Sequence, residues 1–196
     1  MVTIAYTLNN SLYLNITNQC PNACIFCIRN TENGVGYDLW LNEEPSATAI
    51  IKAIQEHDDY QEIVFCGYGE PLSRPEIVVT VAKWIKQELN KPVRINTNGL
   101  ADLMLGYDVL PLLEGLVDTI SISLNADNAD DYFKLTKSKF GAKAFAAVLD
   151  FARRSKKYIP RVVLSVVNVA GVDIAACSRI AAEIGADFRV RNYQEN

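Results

Sequence analysis

Histidine is almost missing from this sequence: His57 is the only one in 196 residues. Proton transfer would therefore fall to carboxylates, tyrosines, lysines or a substrate's own groups. No apolar run approaches the ~20 residues of a membrane span, and Met1-Val2-Thr3 opens without the basic-then-apolar pattern of a signal peptide. A cytoplasmic protein with no membrane partner is expected. Positive charge is not in excess either, with 19 basic against 23 acidic residues and a net charge of −4, which argues against general nucleic-acid binding. Low-complexity stretches and linkers are absent, so residues 1–196 are expected to form a single domain. With 49% hydrophobic and 21% charged residues the composition is that of a globular protein. Five cysteines are an odd count, in a chain too large to need disulfide staples, and suit a reducing compartment.

What is there is an alternation of short β-branched runs and longer helical stretches. Thr3–Leu8 and Leu12–Thr17 flank Asn9-Asn10-Ser11, a turn sequence that predicts an N-terminal β-hairpin. Strands are predicted at Glu62–Cys66, Val93–Thr97, Thr119–Leu124, Arg161–Val167 and Phe188–Arg191, most of them apolar on both faces or nearly so. Helices are predicted at Ser46–His57, Pro75–Leu89, Val109–Leu116, Ala129–Leu135, Ala142–Lys157 and Ile174–Ile184. Counted from Leu12, this order implies parallel strands with right-handed crossovers. A closed eight-unit barrel takes about 250 residues, so the fold class expected is α/β, an open partial barrel of six βα units. Its chemistry belongs in the loops after the carboxyl ends of the strands.

The unusual residues fall in those loops. Cys20-Pro21-Asn22-Ala23-Cys24-Ile25-Phe26-Cys27, a C-x3-C-x2-C run, follows the first parallel strand directly. Three thiolates this close can be aimed at one metal centre. A structural zinc site needs four ligands, and Cys66, Cys177 and His57 are far away in sequence. A four-iron cluster on three cysteines would leave one iron open to a ligand that is not protein. The second of these strands exits through Cys66-Gly67-Tyr68-Gly69-Glu70-Pro71, where two glycines let backbone approach a ligand and a carboxylate follows. The next exits carry Asn96-Thr97-Asn98-Gly99 and Ser121-Ile122-Ser123-Leu124-Asn125, the fifth strand Ser165 and Asn168, and the sixth Arg189 and Arg191. Together they describe a polar pocket suited to a sugar or base, with a metal on one side.

In that order these motifs resemble the radical S-adenosylmethionine (SAM) superfamily, over nearly the whole chain. CPNACIFCIRN followed by GVGYDLWLNEEPS resembles its small TatD-associated group. The resemblance implies that Cys20, Cys24 and Cys27 bind three irons of a [4Fe-4S] cluster whose fourth iron is chelated by SAM. It implies Phe26 beside the adenine and Tyr68, Gly69 and Glu70 at the SAM amino group. Ser123 and Asn125, with Asn96 or Asn98, would meet the ribose, and Ser165 and Asn168 would contact SAM from the fifth strand. The implied activity is reductive cleavage of SAM to a 5′-deoxyadenosyl radical that abstracts hydrogen from a substrate, with a low-potential ferredoxin or flavodoxin as electron donor. Tyr68 departs from the glycine found there in many members, and Asn125 from the usual aspartate.

The sequence ends at Asn196, just past the sixth strand. An open barrel side is therefore expected, where a substrate of protein or peptide size, or a partner subunit, would dock. Tyr37 and Trp40 suit an aromatic pad over the cysteine loop, or a substrate channel. Other readings of the cysteines are group transfer such as methylthiolation, an iron–sulfur electron-transfer or sensing module without SAM turnover, and a structural zinc protein.

Overall fold

Asn9 and Asn10 both take left-handed backbone, with φ of 47° and 62°. A two-residue hairpin turn requires this, and asparagine tolerates it. They join β1 (Ala5–Leu8) to β2 (Ser11–Leu14) as an antiparallel pair. The structure is a computed structural model describing residues 3–31 and 34–193. From β2 onward every pairing is parallel, through β3 (Glu62–Phe65), β4 (Val93–Thr97), β5 (Thr119–Ser123), β6 (Arg161–Asn168) and β7 (Asp187–Asn192). The spatial order is β1 to β7 in sequence, without closure of β7 onto β2 among the described residues. This is the open parallel α/β architecture expected, with the hairpin at one edge.

The crossovers are α1 (Ala47–Gln55), α2 (Pro75–Trp84), α3 (Ala101–Leu105), α4 (Ala129–Thr136), α5 (Lys143–Tyr158) and α6 (Ile174–Ile184). Side chains cap three of them: Ser46, Asn128 and Asp173 accept from the amides of Ala49, Asp131 and Ala176. Two expectations change. Val109–Leu116 forms only a 3-10 turn at Leu110–Leu113, because Pro111 contributes no amide and Gly115 turns left-handed at φ 72°. A short α3 appears instead, ended by Gly106. Pro75–Leu89 is helical throughout but widens to a π-type turn at Ile85–Leu89.

One face of the strands supplies the core. Ile63, Phe65, Ile95, Ile120, Ile122 and Leu164 are fully buried with Ile50, Val78, Val81, Val148 and Phe151 of the helices. At about 2 kcal/mol for each such side chain, this face holds the layers together. The alternate positions point into the open interior, and they are not apolar as the sequence suggested. Glu62, Arg94, Thr119, Ser121, Arg161, Asp187 and Arg189 line a hollow toward the amino ends of the strands. Arg94 is held there by Glu62 at 2.8 Å and Asn96 at 3.0 Å. An interior left open to water tolerates charge that a closed barrel would exclude.

Candidate active site

At the carboxyl ends of the strands the interior opens into a cavity of about 340 Å³. Cys20, Cys24 and Cys27 line it from one side. Their loop is pinned by backbone bonds to the end of α4, from Ala23 N to Thr136 O and from Ile25 N to Leu135 O, and by Lys139 N to Pro21 O at 2.9 Å. On the other flank Glu70 N donates to Gln19 O at 2.7 Å. That approach needs Gly69, since a Cβ there would meet Thr17 O and lie 2.8 Å from Gln19 O. The β3 exit and the cysteine loop are therefore one packed unit.

The thiols sit in a mixed environment. Burial, then the neighbouring Cys20 and Cys27, pushes the Cys24 thiol up to about 12. Cys20 is raised by burial first and by Glu70 second. Against this, Arg29 Nε donates to Cys27 Sγ at 3.2 Å and Asn98 Nδ2 to Cys20 Sγ at 3.8 Å. Such thiols give up their protons to a metal centre rather than to water. A structural zinc site takes four protein ligands, one more than this loop supplies, whereas a cluster spreads its cysteines over several irons. Asn22 lines the same cavity, with its side chain beside the Tyr132 hydroxyl. The donor set, the cavity and the glycine cradle fit a cluster with a ligand beside it.

Glu70 is buried, and that burial raises its carboxyl to about 7 in spite of the hydrogen bonds it accepts. Those bonds come from Leu72 N (3.0 Å), Thr97 Oγ1 (2.7 Å) and Asn98 N (2.7 Å). With three of about four acceptor positions taken, the carboxylate first of all ties the β3 exit to the β4 exit. Asn96, Asn98, Ser123, Asn125 and Phe26 all line the cavity. Asn125 takes φ 56°, and its Oδ1 accepts from Val167 N at 3.3 Å.

Three expected residues lie elsewhere. The Tyr68 ring turns out of the cavity, packing edge-on against Trp40 at 5.1 Å and joining the Tyr6 and Leu39 cluster, so only its backbone follows the glycine segment. Trp40 and Tyr37, which packs on Tyr6 at 5.2 Å, form the aromatic pad expected beside the cysteine loop, next to Ile28 and Arg29 and outside the cavity itself. Ser165 is buried with its hydroxyl toward Ile122 O, and Asn168, past the last inward position of β6, opens onto a different hollow beside Phe26 and Ile25. Val167 takes their place in the wall. Cys66, far from the cysteine run in sequence, also lines the cavity; Asn22, Thr97, Asn192 and Tyr193 were missed. Arg191 also faces the cavity, as its two-residue spacing from Arg189 allowed.

The family model of the radical SAM superfamily matches residues 14–181. A GTP 3′,8-cyclase of Lactiplantibacillus plantarum is 27% identical over 169 residues, covering 84% of this chain and 47% of that protein. A probable GTP 3′,8-cyclase of Methanocaldococcus jannaschii is 28% identical over 127 residues, covering 65% and 40%. The chain thus spans half or less of the length of these curated relatives. Among solved structures, a radical SAM methyltransferase from Sphaerobacter thermophilus superposes with TM-score 0.66 at 18% identity, covering 96% of this chain and 57% of that one. Methylornithine synthase superposes with TM-score 0.65 at 18% identity, covering 94% and 53%. Both share the open barrel of parallel strands. Since the family match runs from β2, just before the cysteine loop, to α6, the chain belongs to the radical SAM superfamily, whose enzymes use a [4Fe-4S] cluster and SAM.

Proposed function

We propose that Cys20, Cys24 and Cys27 hold three irons of a [4Fe-4S] cluster, and that SAM binds beside it in the same cavity to serve hydrogen abstraction from a substrate. The observation that carries this is the sharing of one cavity by three thiols and the polar ends of β4 and β5. A simple electron carrier has no use for that second set of groups. Bound there, cluster and SAM supply hydrogen-atom abstraction driven by one-electron reductive cleavage of SAM.

The protein's part is to position and to exclude water. The Gly67–Gly69 backbone and the remaining acceptor position of Glu70 would receive the SAM amino group. Asn96, Ser123 and Asn125 would meet the ribose, and Phe26 the adenine. Asn98 and Arg29 direct N–H groups at the ligand sulfurs and favour their charged form. Ile28, Val35 and Val167 keep the walls apolar. A low-potential ferredoxin or flavodoxin would supply the electron. The curated relatives are named for GTP, which favours a small-molecule substrate over a protein or peptide.

Reconstitution with iron and sulfide, reduction, and electron paramagnetic resonance with and without SAM test this reading. A cluster signal that changes on adding SAM and is lost in Cys24→Ala is expected. A reduced cluster whose spectrum ignores SAM would instead make the chain an electron-transfer module.

A further inference from the structure

Inward positions on β7 fall at 187, 189 and 191, and Arg191 is the last of them, paired in register with Val167. Its Nη2 donates to Ser123 Oγ at 3.2 Å, while its Nε is buried with no hydrogen-bond partner. Two other interior guanidinium groups have carboxylates, Arg94 with Glu62 at 2.8 Å and Arg161 with Asp187 at 2.7 Å; Arg189 has none, but it is exposed to water. Among the described residues Arg191 has no carboxylate within ion-pair distance. Burial pushes the Arg191 pKa down; the nearby Cys66 and Cys24 thiols oppose this, and Arg189 adds like charge. A guanidinium with five donors, one of them used by Ser123, is unfavourable in such a place unless an anion completes it.

We propose that Arg191 binds an oxyanion of the substrate, a carboxylate or a phosphate, inside the barrel, with Ser123 Oγ orienting the guanidinium. The planar fork suits either group bidentately. The assignment rests on the radical SAM reading for what else shares the cavity, since the polar ends of SAM have receivers near the cysteines at Gly67–Glu70 and Asn98. The cluster, likewise, has Arg29 at Cys27 as its own nearby cation. The substrate's anion then lies on the β7 side of the cavity, with its remainder extending toward the thiols.

Titration calorimetry of inorganic phosphate, pyrophosphate and malonate tests this on the full chain, both cluster-free and reconstituted. Saturable binding is expected in the wild type. Arg191→Gln should weaken it by about tenfold or more and Arg191→Lys should keep part of it, because the lysine retains charge without the fork. Arg153→Gln, an exposed control, should leave it unchanged. Arg191→Gln should be no less stable than the wild type, since it removes a half-buried charge that has no carboxylate partner. Its SAM affinity after reconstitution should stay within about threefold of wild type, which is under 1 kcal/mol. Equal anion affinity in wild type and Arg191→Gln overturns the proposal. So does a tenfold loss of SAM affinity in that variant, because Arg191 would then serve the SAM carboxylate. If reconstituted wild type fails to bind SAM, the reading of the cavity falls, and the cluster-free titration still decides Arg191.

Discussion

Glu70 shows how much of the site turns on single atoms. Its carboxyl in the folded chain, at about 7, stands above the ordinary 4.5. The folded state therefore holds this proton more tightly than the unfolded one. The stability so contributed is complete below about pH 4.5 and is lost as the pH rises through about 7, with an upper bound of about 3 kcal/mol. Urea melts of the cluster-free chain between pH 5 and 7.5 should show this decline, and Glu70→Gln should flatten it. Parallel profiles for the two proteins would contradict the burial assigned to Glu70. Arg29 makes the second prediction at this scale. Its N–H group at Cys27 Sγ favours the more negative, reduced cluster. Arg29→Gln should lower the reduction potential in a titration followed by electron paramagnetic resonance; an unchanged or higher potential would remove Arg29 from the electrostatics of the cluster. Neither role was legible in sequence. Glu70 stood out as a carboxylate at a strand exit, but its bonds to Thr97 and Asn98 depend on β3 and β4 lying side by side.

At the scale of elements, the β3 exit is the joint between sheet and cysteine loop. A Cβ on Gly69 would collide with the carbonyl of Thr17, and one on Gly67 would come within 2.9 Å of Asn15 Cα. These contacts are with backbone, which cannot rotate away. Gly69→Ala should destabilise the chain by about 2 kcal/mol or more, and should lower iron content after reconstitution, because Gln19 adjoins Cys20. A variant of wild-type stability and iron content would show that the loop is not seated on this segment. The strand–helix alternation was legible because β-branched runs and caps such as Ser46 are local signals. Val109–Leu116 misled because its apolar spacing is helical while Pro111 and Gly115 forbid the hydrogen bonds. The polar inner face was masked by Val64, Val163 and Val167, which interleave with the charged positions and make the strands read as apolar throughout.

Over the whole molecule, the cysteine motif was the most legible feature, since its three ligands lie within eight residues and need no tertiary contact to be recognised. The opposite wall was the least legible. Arg191 joins it only because six parallel strands curve far enough to bring β7 to face the loop after β2. That curvature makes one cavity out of groups from both ends of the chain, and it is shared with superfamily members at 18% identity. The most direct measurement is chromatographic detection of 5′-deoxyadenosine after anaerobic reconstitution with iron and sulfide, followed by dithionite and SAM. Formation by the wild type, and none by Cys24→Ala, is the expected result. A fully assembled cluster that leaves SAM intact under strong reduction would contradict the proposed chemistry.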